Sequence, residues 1–414
     1  MFQAPRGTTD ILPEDQPYWD NVMAAVRHIG SQFGYSRIDT PIFEDTQLFT
    51  RGIGGATDIV EKETYSFKDR GGDSLTLRPE GTAPVCRAYM EHGMHTLPQP
   101  VKLYYICQNF RYERPQSGRY RAFNQFGVEI FGESDPYADA EAIEISWRFL
   151  RELGLRDLSI TLNSIGDDEC RPLYVSALIK YYTQQSSELC TDCARRLVTN
   201  PLRLLDCKID TCQPIISEAP RSIDYLCNDC EEHWQDLLDH LNRIDLTYEI
   251  DNSLVRGLDY YTRTVFEITP PVKGRTNVIA GGGRYDKLLE QLGGPSTPGV
   301  GFAVGLERVV EHMKRLKVTF SGDKSKLTLV AHLGPRGKKE AMVMASLIRK
   351  SGGTAVMGPS RGLRSQLRYA SSINADYAVI IGDDEIDKGK FTLRQLGEST
   401  QQELSSEEII RSVC

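Results

Sequence analysis

The sequence predicts a mixed α/β protein in two parts, a large antiparallel sheet flanked by helices and a small α/β domain toward the C-terminus. Three observations predict it. Residues 101–131 hold two alternating stretches, "VKLYYICQNFRYE" and "RYRAFNQFGVEIFG", joined by the short loop "RPQSG", and long strands joined this closely must run antiparallel. From residue 327 the pattern changes to strand–helix alternation: "LTLVAHLG", "GKKEAMVMASLIRKSG", "TAVMGP", "GLRSQLRYASSINA" and "DYAVIIG". Between the two patterns lies the polar stretch "SGDKSK" (321–326), which reads as a linker. The expected domains are therefore 1–320 and 327–414.

The elements follow in order. In "DQPYWDNVMAAVRHIGSQFG", Trp19, Val22, Met23, Val26, Ile29 and Phe33 recur at helical spacing and Gly34 ends the run. "GYSRIDTPIFE" is extended, with Pro41 inside it. In the second hairpin strand, Tyr120, Ala122, Phe126, Val128 and Ile130 fall with Asn124 on a face suited to a core. The opposite face carries Arg119, Arg121, Phe123, Gln125, Gly127 and Glu129, and by this pattern alone it could be a solvated face. On the first strand, Asn109, Arg111 and Glu113 share one face. Residues of about 170–250 read as a helical, cysteine-rich insertion. Strands resume in "TYEIDNSLVRGLDYYTRTVFEIT" and "TNVIAGGGRYDKLLEQLGG", and "PGVGFAVGLERVVEHMKRL" is a strand running into a helix.

With 40% hydrophobic and 26% charged residues the chain has the composition of a soluble globular protein, and its longest apolar runs fall far short of a membrane helix. The N-terminal stretch "MFQAPRGTTDILPEDQ" has no export pattern, so a cytoplasmic location is expected. Net charge is −8, yet residues 335–368 carry Arg336, Lys338, Lys339, Arg349, Lys350, Arg361, Arg364 and Arg368 against Glu340 alone. A basic segment in an acidic chain suits a phosphate-backbone partner. Seven of the ten cysteines lie between Cys170 and Cys230, including the pairs Cys190/Cys193 and Cys227/Cys230. The 33 residues between the pairs exceed the common zinc-site spacing, so reduced thiols are preferred here over zinc.

No P-loop is present, and the glycines of "GGPSTPGVGFAVG" sit in no βαβ unit, which disfavours a Rossmann site. What remains is a set of arginines read on or beside strands: Arg111, Arg256 and, in the first turn of a helix, Arg308. Guanidiniums on a rigid sheet with a helix N-terminus make an anion site without a glycine loop.

These segments resemble the three motifs of class II aminoacyl-tRNA synthetases: "GYSRIDTPIFE", "FRYERPQSGRYRAFNQFGVE" and "GVGFAVGLERVV". Within that class, "RGTTDILPED", "TLRPEGTAPVCR", "RGLDYYTRTVFE" and "GGGRYDKLL" resemble the histidyl-tRNA synthetase family over essentially the whole chain. The resemblance implies a catalytic domain with an insertion, an anticodon-binding C-terminal domain, and ligation of L-histidine to tRNA(His) through histidyl-adenylate, with ATP and Mg²⁺. It further implies that Arg111 and Arg256 bracket the α-phosphate, that Arg308 holds the γ-phosphate end, and that Glu113 belongs to the ATP site. The histidine pocket would comprise Glu80, Gly81, Thr82, Gln125, Glu129, Tyr260 and Tyr261. In it Glu80 and Gln125 take the ammonium group, Glu129 and Tyr261 read the imidazole, and Gly127 leaves room. Arg114, Gln116 and Arg119 would approach the acceptor stem, and the enzyme would be a homodimer with no membrane association and no metal held by the site residues. The competing reading within the same fold is a non-catalytic paralogue serving as regulatory subunit of ATP phosphoribosyltransferase.

Overall fold

The computed structural model describes residues 2–52, 59–113, 118–271, 278–320, 326–398 and 400–414. The chain forms two compact units, Met1–Phe320 and Ser321–Cys414.

In the first unit, α1 (Gln16–Gln32) leads through β1 (Ser36–Arg37) and β2 (Phe43–Asp45) into α2 (Thr46–Gly52). Strands β3 (Tyr65–Lys68) and β4 (Ser74–Leu77) precede α3 (Thr82–Glu91), and the long hairpin follows as β5 (Val101–Phe110) and β6 (Ala122–Phe131). After α4 (Tyr137–Glu152) and β7 (Ser159–Ser164) come the helices α5 (Arg171–Gln184), α6 (Thr191–Thr199), α7 (Gln213–Ser217) and α8 (Asn228–Arg243). The chain returns as β8 (Glu249–Ile250), β9 (Thr262–Thr269), β10 (Ala280–Arg284), α9 (Leu288–Gln291), β11 (Gly299–Gly305) and α10 (Leu306–Arg315). Among the described residues, eight strands form one sheet in the order β1-β5-β6-β11-β10-β9-β7-β8, antiparallel except for the edge pairs β1/β5 and β7/β8.

Period-two alternation gives this sheet two unlike faces. On one, Phe126, Val128 and Ile130 of β6 join Val300, Phe302 and Val304 of β11 and Phe266 and Ile268 of β9, none more than 3% exposed. Helices α1 and α4 close over it with Val22, Val26, Ile29 and Phe149, the last meeting Phe126 edge-on at 4.8 Å. Each such side chain contributes about 1.5–3 kcal/mol by leaving water. The other face carries Gln125, Gly127 and Glu129.

Two sequence readings are corrected here. The hairpin strands are shorter than their alternation: β5 ends at Phe110, so Arg111 and Glu113 lie beyond it, and Arg119 to Arg121 precede β6. The ladder is diverted there, because the Tyr112 N–H donates to Glu63 O at 2.7 Å and the Arg121 N–H to Gly7 O at 2.7 Å. Arg256 is on no strand. Residues 251–261 form a looped segment whose Asp251 N–H turns to Leu162 O at 3.0 Å, and β9 begins only at Thr262.

The second unit runs β12 (Leu327–His332), α11 (Gly334–Lys350), β13 (Thr354–Met357), α12 (Leu363–Ser372), β14 (Tyr377–Ile381), α13 (Asp383–Lys388), β15 (Phe391–Gln395), β16 (Thr400–Leu404) and α14 (Ser406–Val413). Its sheet has the order β13-β12-β14-β15-β16, with β13, β12 and β14 parallel and the last two strands antiparallel. The strand–helix rhythm accounts for the elements up to β14, and the hairpin that follows adds the antiparallel edge.

Candidate active site

The polar sheet face has a floor of small residues. In the register of the sheet, Gly127 of β6 faces Ala303 of β11, which faces Gly281 of β10. Side chains from elsewhere lie flat on this floor. A Cβ at Gly281 would come within 2.5 Å of Arg256 Nη1, so the guanidinium of the 251–261 segment rests where only glycine admits it. There it is ion-paired with Glu267, which stands opposite Gly281 on β9. Burial draws the Arg256 pKa down, but Glu267 and Tyr261 outweigh it and the group stays above its ordinary value.

Gly127 does the same for Tyr105, its partner on β5, since a Cβ would lie 2.3 Å from the ring. The sequence reading left that space for a ligand, whereas the structure fills it with a tyrosine. Tyr105 Oη donates to Glu129 Oε1 at 2.9 Å and Tyr285 Oη donates to the other carboxylate oxygen. Glu129 is 1% exposed. Burial pushes its pKa up to about 8, with the Tyr285, Thr82 and Tyr105 side chains pulling down and the Glu80 carboxylate pushing up again. The two tyrosines are themselves raised well above their ordinary value, first by burial and next by Glu129, so they remain donors.

Glu80 and α3 belong to the same pocket. The Glu80 carboxylate accepts the Thr82 N–H at 2.7 Å and the Ala83 N–H at 2.8 Å, capping two of the orphan donors at the start of the helix. Burial raises its pKa against those two bonds and the charge of Arg111. Tyr260 and Tyr261 stack at 4.7 Å, and Tyr260 lies 5.6 Å from Tyr285. Burial raises both, with the carboxylates of Glu80 and Glu129 adding to it. Gln125 Oε1 accepts from Asn109 Nδ2 at 2.5 Å, and an amide oxygen has a second lone pair to offer a ligand's ammonium.

Beyond the strand ends, cations gather. Arg111 Nε donates to Pro79 O at 2.8 Å, and Arg308, in the first turn of α10, donates through Nε to Gly118 O at 2.8 Å and through Nη1 to Val278 O. Burial holds the Arg308 pKa below its ordinary value, and the charges of Arg119 and Arg111 lower it further against Glu113 and Glu311. Glu113 is shared, 3.1 Å from Arg119 and 4.0 Å from Arg111. Like charges this close favour an anion between them.

Of the residues singled out from sequence, Glu80, Thr82, Glu129, Arg256, Tyr260 and Tyr261 converge on one pocket, with Gly81 as the N-cap position of α3. Arg111, Glu113, Arg119 and Arg308 form the cationic group at its edge. Arg114 and Gln116 lie outside the described residues. Tyr105 and Tyr285 were missed. Tyr105 was within reach, being two and four positions from Cys107 and Asn109 on the same strand face, and Tyr285 ends the quoted "GGGRY". The pairing assumed for the cysteines is corrected: Cys190 and Cys193 group with Cys207 and Cys212, whereas Cys227 and Cys230 group with Asp167 and Cys170. The 33-residue gap between the CxxC pairs therefore spans two different clusters and says nothing about either.

An antiparallel sheet with a glycine-lined polar face, and arginines supplied from its hairpin, a loop and the helix after its last strand, defines the class II aminoacyl-tRNA synthetase architecture. The family model described as histidyl-tRNA synthetase matches residues 7–166 and 216–309, and one described as an anticodon binding domain matches residues 329–413. A histidine–tRNA ligase of Dehalococcoides mccartyi is 52% identical over 99% of this chain and 98% of its own, and one of Caldicellulosiruptor saccharolyticus is 46% identical over 99% and 97%. The crystal structure of apo Staphylococcus aureus histidyl-tRNA synthetase matches with a TM-score of 0.83 at 34% identity, covering 100% of both chains. The chain belongs to the histidyl-tRNA synthetase family, and it is a ligase.

Proposed function

We propose that the site works in two linked parts, a histidine pocket around Glu129 and Glu80 and an ATP-phosphate site around Arg111, Arg256 and Arg308. Charging of tRNA with histidine is the activity of the family to which the chain belongs. The observation that carries the division of labour is the cationic excess at the pocket edge, where Arg308 is crowded by Arg119 and Arg111.

In the first half-reaction an oxygen of the histidine carboxylate attacks the α-phosphorus of ATP and the bond to the β-phosphate breaks, giving histidyl-adenylate and pyrophosphate. Arg111 and Arg256 take the α-phosphate and Arg308 the γ-phosphate end, so charge moving onto the leaving group meets positioned donors. One such donor is worth about 2.7–4 kcal/mol. Mg²⁺ bound to the phosphates would supply further charge neutralisation, with Glu113 and Glu267 as the hard oxygen donors beside the guanidiniums. In the second half-reaction a ribose hydroxyl of the tRNA 3′ end attacks the acyl carbon and AMP leaves. Glu80 and Gln125 take the histidine ammonium, and Glu129 with Tyr261 reads the imidazole. Glu80, Glu129 and Tyr261 are buried polar groups, which an apolar analogue would leave unpaired, a discrimination of roughly 10⁴.

Arg114, Gln116 and Arg119 serve the acceptor stem, and the basic residues of the second unit serve the anticodon of tRNA(His); Arg361, Arg364 and Arg368 are exposed at and along α12. The enzyme acts as a cytoplasmic homodimer, for which the exposed Phe43 and Phe67 of the small β2-β4-β3 sheet, with Ile42 just before β2, offer apolar surface. Among the described residues no helix is long and apolar enough to cross a membrane.

ATP–pyrophosphate exchange with each amino acid in turn, for the wild type and Arg256→His, tests the reading. Exchange should depend on histidine and fall by about 10²–10³ in the variant. Histidine binding without exchange would sink it and leave the regulatory-subunit reading. A structure described as an ATP phosphoribosyltransferase regulatory subunit/histidyl-tRNA synthetase from Bacillus halodurans has the fold at 21% identity, and that resemblance speaks to fold alone.

A further inference from the structure

The insertion between β7 and β9 brings together two groups of metal-type ligands that the chemistry above does not use. In the first, Cys190 is the N-cap of α6, Cys193 lies in its first turn, Cys207 follows the single turn Pro201–Leu204, and Cys212 is the N-cap of α7. In the second, Asp167 and Cys170 precede α5, and Cys227 and Cys230 open α8. Within each group the four ligand atoms all lie within 4.8 Å of one another, and every cysteine is a free thiol.

The spacings are those of ligands about a metal. A disulfide needs sulfurs at about 2.05 Å. Four sulfurs about 2.3 Å from a central Zn²⁺ stand about 3.8 Å apart at the edges of their tetrahedron. Cys190 Sγ and Cys207 Sγ are 3.9 Å apart. Backbone donors already point at these sulfurs: the Cys190 N–H toward Cys212 Sγ at 3.4 Å and the Cys193 N–H toward Cys190 Sγ at 3.5 Å. In the second group Asp167 Oδ1 is 3.5 Å from Cys170 Sγ and 3.9 Å from Cys227 Sγ, near the edge of about 3.6 Å expected for mixed oxygen and sulfur ligands. Its other oxygen, Oδ2, is held by Arg263 Nη2 at 3.3 Å, the outer-shell support that ligating carboxylates require.

We propose that the insertion binds two structural Zn²⁺ ions, one held by Cys190, Cys193, Cys207 and Cys212 and the other by Asp167, Cys170, Cys227 and Cys230. Both sets are complete with four protein ligands, which marks closed, structural sites. The ions brace the wall of the pocket. The loop clamped between Cys193 and Cys207 holds Asn200, whose Nδ2 donates to Asp259 Oδ1 at 3.0 Å, and Arg203, whose Nη1 donates to Arg256 O at 3.2 Å. Arg171, next to Cys170, donates through Nη2 to Tyr261 O at 2.7 Å. The 256–261 segment is thus tied on each side to a residue close to a zinc ligand. This bracing consequence rests on the role given to Arg256 above, whereas the metal sites do not.

The full chain, purified from zinc-supplemented medium without chelator, should contain about two zinc per chain by elemental mass spectrometry. Cys193→Ser with Cys212→Ser should lower this to about one, and Cys227→Ser with Cys230→Ser should do the same. If a double variant does not fold, Co²⁺ titration of the metal-stripped wild type replaces it, the expected result being two sets of thiolate-to-cobalt absorption. A metal-free preparation whose thiols all react rapidly with Ellman's reagent would overturn the proposal, as would iron in place of zinc. A content of one would overturn the group whose variant leaves the metal unchanged. Loss of exchange activity alone bears on Arg256 and not on these sites.

Discussion

Glu129 and Asp139 are both buried acids close together in the chain, yet their surroundings drive them in opposite directions. Asp139 is enclosed beside α8 and β10, where burial would raise it, but the Arg284 guanidinium and His233 hold it well below the usual carboxylate range. Arg284 is itself fully buried, and also donates to Asp286 at 3.0 Å and to Glu133 O at 2.9 Å. Glu129 meets tyrosine hydroxyls instead of a cation, and is pushed up to about 8. The lesson is one of role. A carboxylate locked in charge by a fixed guanidinium ties α4 to the sheet, whereas one bonded by hydroxyls with no cation beside it is the one whose charge can respond to its surroundings.

The contrast breaks most severely at its structural end. Arg284→Met leaves the buried Asp139 carboxylate with only His233 beside it and should cost about 3–5 kcal/mol in denaturant unfolding. Adding Asp139→Leu should recover most of that loss, and a single variant as stable as the wild type would show that the pair locks nothing. Gly127→Ala tests the other end. Its methyl group meets the Tyr105 ring, so overpacking of about 1–3 kcal/mol is expected, with KM for histidine rising more than KM for ATP. Equal changes in the two KM values would detach Tyr105 from the histidine pocket.

The smallest effect per step is a pH slope. The folded protein holds the Glu129 proton up to about pH 8, while the ordinary carboxyl releases it near 4.5. That stabilisation is whole below the ordinary value and is lost as pH rises through about 8, at no more than about 1.4 kcal/mol per pH unit. Glu129→Gln removes it, so the difference in unfolding free energy between wild type and variant should move steadily against the wild type from pH 5 to about 8. A difference independent of pH would mean that Glu129 is charged throughout.

Much of the site was legible because β6 alternates strictly. Counting by two puts Gln125, Gly127 and Glu129 together opposite Phe126, Val128 and Ile130, and the arginines stood in segments with family resemblance. Less legible was what each glycine admits. Gly127 predicts space, but only the strand register shows that Tyr105 occupies it, because the partner lies more than twenty positions away and across a turn. Arg256 was read on a strand as part of a long extended stretch, yet the ladder with β7 stops after the Asp251–Leu162 bond and strand pairing resumes only with β9 at Thr262. The cysteines were paired by nearness in sequence, a rule that holds within each CxxC and fails between them.

By itself the sequence determined the alternation that makes one sheet face apolar and one polar, the strand–helix rhythm of the second unit and the residue types of the site, all properties of local period and composition. Only the tertiary structure decided which acid keeps its proton, which side chain fills the room a glycine leaves, and which cysteines share a cluster. Those depend on burial and on partners distant in sequence, and burial and pairing exist only once the chain has closed on itself.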